Sequence, residues 1–179
     1  TAGRWATAVY PFAVSGVENL TIANLDSYSA SNGALGFSTT ANASEANVPF
    51  LMLSTAADDI ENITLSDVEV VETAATPTVT KSEASLKGVY ASTNITNSDK
   101  NYVLSSNVIY PVGTAGAIIP AYRAYIQVAQ PAARSLTFFV DGEATAIEGI
   151  SNDAMENGDI YNLQGQRVQN AQKGLFIQK

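Results

Sequence analysis

Between Asn101 and Val128, apolar and polar side chains alternate along the chain. Tyr102, Leu104, Val108, Tyr110 and Val112 fall on one parity, with Ser106 between them. Further on, Tyr122, Ala124, Ile126 and Val128 share a parity, and Arg123, Tyr125 and Gln127 take the other. A period of two marks a strand with one buried face. The link between the two halves carries Gly113, Gly116 and Pro120, which suits a turn and no helix. The stretch predicts two strands, rich in Tyr, Val and Ile, joined as a hairpin.

The same pattern recurs elsewhere. Residues 1–14 read as an aromatic-rich strand that either lies on an edge or ends at Pro11, because proline donates no ladder hydrogen bond. Leu20 to Leu25 predicts a second strand, and Asn32-Gly33 a hairpin turn with positive φ at both residues. Val48 to Leu53 is an unbroken apolar run, as expected of a strand buried on both faces. From Asp58 onward a helical turn near Ala56 to Ile60 gives way to Thr, Val and Ile, which favour strand as far as Val71. Thr78 to Lys81, Leu86 to Ser92 and Arg134 to Val140 complete the series, with Leu136, Phe138 and Val140 on one side. About ten or eleven short strands at 8–12-residue spacing predict an all-β fold, a β-sandwich over residues 1–142. Residues 143–158 are small, acidic and weakly periodic and read as a linker. Residues 159–179 read as a small C-terminal β-hairpin, with turns at Gln164-Gly165 and Lys173-Gly174.

Composition narrows the chemistry. The 179 residues include no cysteine and no histidine. That excludes disulfides, thiolate nucleophiles, His-based triads and zinc sites built on Cys and His. A net charge of -8 repels polyanions, so no nucleic-acid partner is expected. No apolar run reaches the length that would insert into a bilayer. The chain starts at Thr1 without Met and reads as a mature piece of a longer protein.

Several blocks, taken in order, resemble modules near the C-termini of secreted and surface proteins of Bacteroidetes bacteria. Tyr10-Pro11-Phe12 with Val14 looks like that family's opening strand, and Ala46 to Met52 like its "AN-PYLI" block. Lys87-Gly88-Val89-Tyr90, Tyr102 to Asn107 and Ala121 to Tyr125 look like the blocks that follow. Arg134-Ser135-Leu136 and Asp141 to Thr145 then precede a tail, Asp159 to Lys179, similar to the family's "vYNLqGqrV…kGlYI" ending. The tail is also distantly similar to type IX secretion tails. The resemblance implies an extracytoplasmic β-rich module, secreted or at the cell surface, attached to neighbouring regions of a larger protein. It brings no catalytic residues and no cofactor.

Candidate chemistry falls into three groups of residues. Asp58, Asp59, Glu61, Asp67, Glu69, Glu72, Asp141, Glu143 and Glu148 are the carboxylates from which a glycosidase pair could be drawn. None lies in an acid/base motif, and solvated surface charge is the simpler reading. The runs Asp58-Asp59-Ile60-Glu61-Asn62 and Asn152 to Asp159 offer oxygen ligands without the spacing of a calcium loop, so no metal site is expected. Trp5, Arg123 and Tyr125 are the ligand-binding candidates, with Tyr28 behind them, since aromatics pair apolar area with a polar handle. Tyr125 is core instead if both faces of its sheet are covered. These features predict a non-catalytic structural or adhesive module of a secreted or surface bacterial protein. A surface glycan or protein ligand is its expected partner, and the alternatives are a carbohydrate-binding module of a glycan-degrading surface system and a carboxylate-based glycosidase.

Overall fold

The computed structural model describes residues 3–57, 63–65, 67–130 and 136–144, together with the strand backbone at 160–161, 167–168 and 177–178. It is all-β, with no helix among the described residues. Chain contacts divide it into two units, Thr1–Ala146 and Ile147–Lys179.

The first unit holds two main sheets. The strands of the first are β1 (Trp5–Ala8), β3 (Leu20–Ser29), β4 (Ala34–Ser38), β6 (Phe50–Ser54), β14 (Thr137–Val140) and β15 (Glu143–Ala144). Their order is β1-β6-β3-β4-β14-β15, and β14 joins β4 in parallel while the sheet's other pairings are antiparallel. The second sheet is built from β7 (Thr78–Lys81), β8 (Ala84–Val89), β10 (Asn101–Ser105), β11 (Val108–Pro111) and β13 (Arg123–Val128). Its order is β11-β10-β13-β8-β7. Two ribbons lie beside them: β2 (Val14–Ser15) with β5 (Ala43–Ser44), and β9 (Thr93–Ile95) with β12 (Ala117–Ile119).

Alternation along each strand sorts the apolar side chains into three clusters. Ala23, Leu25, Leu35, Phe37, Leu51, Phe138 and Val140 of the first sheet share one core with Leu86, Tyr102, Ile109, Ala124, Ile126 and Val128 of the second. The opposite face of the first sheet carries Leu20, Ile22, Phe50 and Met52, covered by Val14, Val17, Tyr10, Phe12 and Leu65. The opposite face of the second sheet carries Val89, Val103 and Tyr125, packed with Ile95, Val112 and Ile119 of the β9–β12 ribbon and the loops around it. Fully burying one such side chain contributes about 1.5–3 kcal/mol. Both sheets are therefore lined on two faces.

At one edge the sheets are stitched together. The buried Thr7 hydroxyl donates to the Ala124 carbonyl and accepts from the Ala124 amide, both at 2.9 Å. Val9 N–H donates to the Tyr122 carbonyl at 3.1 Å. The Val9 side chain lies against the backbone of Gly88, where a methyl group would come within 2.8 Å of Val9 Cγ1. Only glycine allows that approach.

Several expectations hold. β1 is an edge strand and the chain leaves the sheet before Pro11. Phe50 and Leu51 are buried on opposite faces of β6. Leu136, Phe138 and Val140 are buried together, and β7 spans Thr78–Lys81 as read.

Others are corrected. The strand expected through Tyr102 to Val112 is two strands, β10 and β11, closed by a two-residue turn at Ser106 (φ 49) and Asn107 (φ 66). The two left-handed residues make the type of turn that matches strand twist. The turn reverses the parity beyond it, so Ile109 is buried and Tyr110 is 47% exposed. β10 does pair with β13, but the Gly113–Pro120 link contains β12 and is no simple turn. At Asn32-Gly33 only Gly33 takes positive φ (61), and the hairpin loop spans four residues between β3 and β4. Residues 63–65 and 67–71 form no strand, and Ile63, Val68, Val70 and Val71 are exposed. The described strands exceed the expected ten or eleven because β2, β5, β9, β12 and β15 are only two or three residues long. So short a pairing leaves no periodic trace.

Glu143–Ala144, expected in the linker, pairs with β14; residues 145–158 lie outside the described residues. The tail contains β16 (Ile160–Tyr161), β17 (Arg167–Val168) and β18 (Ile177–Gln178), a three-stranded antiparallel sheet with β16 central, where a hairpin was expected.

Candidate functional site

Four aromatic rings gather where the two sheets are stitched. Tyr10 and Phe12 follow β1, Tyr90 follows β8, and Tyr122 precedes β13. Tyr10 and Phe12 stack with centroids 5.2 Å apart and planes 8° off parallel. Tyr10 also stacks with Tyr122 at 6.2 Å and 27°, and Tyr90 meets Tyr122 edge to face at 5.9 Å and 74°. Tyr10 packs against Phe50 beneath it. Tyr122 remains 48% exposed.

The backbone under this rack is held in unusual conformations. Tyr122 has φ 61, a left-handed value rare for an aromatic residue and costing roughly 1–2 kcal/mol. It is fixed there from both sides: its N–H donates to Val89 O at 2.8 Å, and its carbonyl accepts from Val9 N. Those two bonds reach different sheets, which is what the turned peptide permits. Asn47, also left-handed at φ 63, anchors the neighbouring loop. Its N–H donates to Tyr10 O at 2.8 Å, its Nδ2 to Glu72 O at 3.0 Å, and its Oδ1 accepts from Ala74 N at 3.1 Å. The Tyr90 hydroxyl donates to the same Oδ1. Burial, and then the Tyr122 phenol, push the Tyr90 pKa up, so the hydroxyl stays a donor.

The candidates read from sequence do not assemble here. Trp5 is only 9% exposed and its ring belongs to the shared core, so it is no surface platform. Its alternation with Thr7 was legible, but not which face the second sheet would cover. Tyr125 lies under the β9–β12 ribbon, lines a hollow of about 470 Å³ with Lys87 and Tyr90, and has its pKa raised by burial. The condition under which it becomes structural is met. Tyr122, expected in the core with Ala124 and Ile126, is outside it. Tyr28 packs against the shared core with its hydroxyl buried and no partner among the described groups.

Arg123 and Trp5 do line one groove, of about 450 Å³, that Arg4, Thr7, Ser106 and Ile118 also line. Arg123 Nη1 donates to Thr7 O at 2.9 Å, and Arg4 Nη1 lies 3.5 Å from Ser106 Oγ.

The carboxylates scatter. Glu18, Asp67 and Glu69 line a groove of about 700 Å³ beside Ile63 and Val68. Asp141 closes the β14–β15 turn, accepting from the Thr39 hydroxyl and from Thr39 N at 3.0 Å, and these bonds hold its carboxyl below the usual range. Glu72 and Glu143 are exposed. Among the described residues no three acidic groups are placed to hold a metal. Asp58, Asp59, Glu61, Glu148 and the 152–159 run lie outside the described residues. Comparison with family models, with curated proteins and with solved structures gives no match to this chain.

What the rack offers is contact area. Stacked and edge-on rings add about 0.5–1.5 kcal/mol per pair beyond burial, and Tyr and Trp are favoured where one side must stay wet. Held rigid before contact, they cost little entropy on binding.

Proposed function

We propose that this chain is a non-catalytic adhesive module of a secreted or cell-surface bacterial protein, a β-sandwich that presents one aromatic contact surface. The observation that carries the reading is the rack of Phe12, Tyr10 and Tyr122 with Tyr90 beside it, in which the exposed Tyr122 is held on left-handed backbone by hydrogen bonds to Val89 and Val9. Backbone strain kept at an exposed aromatic is the mark of a working surface. The shared core between two sheets supports the sandwich architecture. The family-like order of blocks supports the extracytoplasmic setting and attachment to neighbouring regions of a larger protein.

A second reading, carbohydrate binding, is favoured by the exposed Tyr122, because an apolar ring with a hydroxyl at its rim suits a sugar ring. It moves the contact from Trp5 and Tyr125 to Tyr10 and Tyr122. A neutral-glycan array and a panel of host surface proteins, each probed with wild type and with Tyr122→Ala, separate the two. Protein capture lost in the variant supports adhesion. Glycan binding lost in the variant supports the second reading. Binding unaffected by Tyr122→Ala, or a glycoside hydrolase activity removed by changing one carboxylate, overturns both.

A further inference from the structure

We infer that the groove between β1, β10 and the β9–β12 ribbon is a second ligand site, one that takes a short oligosaccharide bearing uronate carboxylates. It is independent of the aromatic rack. Its floor and walls carry two guanidinium groups, Arg4 and Arg123, in a chain with 9 basic and 17 acidic residues. With so many carboxylates available, an arginine on this surface would ordinarily pair with one. Among the described residues neither does. Arg123 gives one N–H to the neutral Thr7 carbonyl, and Arg4 approaches only the Ser106 hydroxyl, at the long distance of 3.5 Å. A guanidinium has five N–H donors in a planar fork shaped for carboxylate, so most of the donor capacity of these two lining residues is uncommitted.

The rest of the groove selects the ligand around the charge. Ile118, 72% exposed, forms an apolar ledge, and Ser105 and Ser106 add hydroxyls. An extended acidic peptide would instead seek main-chain partners, as strands added to a sheet edge do. Here two of the lining amides are already taken: Trp5 N donates to Asn107 Oδ1 at 2.7 Å, and Ala124 N to Thr7 Oγ1. The free guanidinium donors are the groove's charged contacts, which suits a saccharide whose carboxylates meet the two arginines while a ring face lies on Ile118. The volume of about 450 Å³ accommodates a ligand of this kind. The overall charge of -8 disfavours long polyanions and favours short ones.

The test is calorimetric titration of the full chain with trigalacturonate, with neutral maltotriose and with tri-glutamate as comparators. The expected result is trigalacturonate binding that weakens with added salt and falls about tenfold or more in Arg4→Ala, the loss of charge-assisted hydrogen bonds. Arg4 is exposed and makes no close bond, so that variant keeps its fold. Arg123→Lys, checked by thermal melting, should weaken binding similarly because ammonium lacks the fork. Tyr122→Ala should leave it intact, which separates this site from the rack. Absence of trigalacturonate binding, equal affinity for maltotriose, or tighter binding of tri-glutamate would overturn the assignment.

Discussion

Phe37 and Phe138 meet edge to face in the core, 6.1 Å apart at 85°, while Phe12, Tyr10 and Tyr122 lie nearly parallel at the surface. The two groups use the same kind of side chain and are positioned by different means. The core pair comes from neighbouring strands, with Phe37↔Val140 and Phe138↔Leu35 in register, so strand alternation alone points both rings inward. The surface rings, with Tyr90 beside them, come from three chain segments outside any strand, and hydrogen bonds linking Tyr10, Tyr90 and Tyr122 with Asn47, Val89 and Val9 tie those segments down. Burial organises the first group. In the second, hydrogen bonds to backbone help place rings that lie outside the strands and are only partly buried.

The contrast can be broken at either end. Phe138→Ala, a cavity in the shared core, should cost about 3–5 kcal/mol and lower the melting temperature more than any change at the rack; urea unfolding measures it. Asn47→Ala removes two accepted bonds and one donated bond and leaves alanine on left-handed backbone. It should cost about 2 kcal/mol and loosen residues 72–74 and Tyr90, seen as faster proteolysis in that loop. The smallest effect, and the sharpest, is at Tyr122. Tyr122→Gly relieves the backbone and should be more stable than Tyr122→Ala by roughly 1 kcal/mol, although both lose the ring. Equal stability of the two would show that the left-handed conformation costs nothing there.

Much of the centre was legible in the sequence. The parity of Ala124, Ile126 and Val128, and of Leu136, Phe138 and Val140, named buried residues correctly because each strand there is long enough to alternate. Parity failed where two residues reversed the chain, at Ser106-Asn107, since a turn of that size carries no proline or glycine to announce it. It failed again at Val68, Val70 and Val71, whose β-branched side chains read as strand although no partner strand is there to pair with them among the described residues. The burial of Trp5 was not legible for a related reason: one strand shows which residues share a face, not which face a second sheet will cover. The rack was invisible because its rings converge from positions 10, 12, 90 and 122 through loops. The one available signal was Tyr122 between Pro120 and the strand, and it read as the start of the alternation.

The central claim is that the rack stands on backbone as firmly held as the core. Native-state hydrogen exchange of the Val9, Tyr122 and Ala74 amides tests it directly, with Leu86 and Ile126 as core references. Protection at Val9 and Tyr122 within about tenfold of the core amides is the expected result. Exchange at those positions as fast as in exposed loops, with the core still protected, would contradict it.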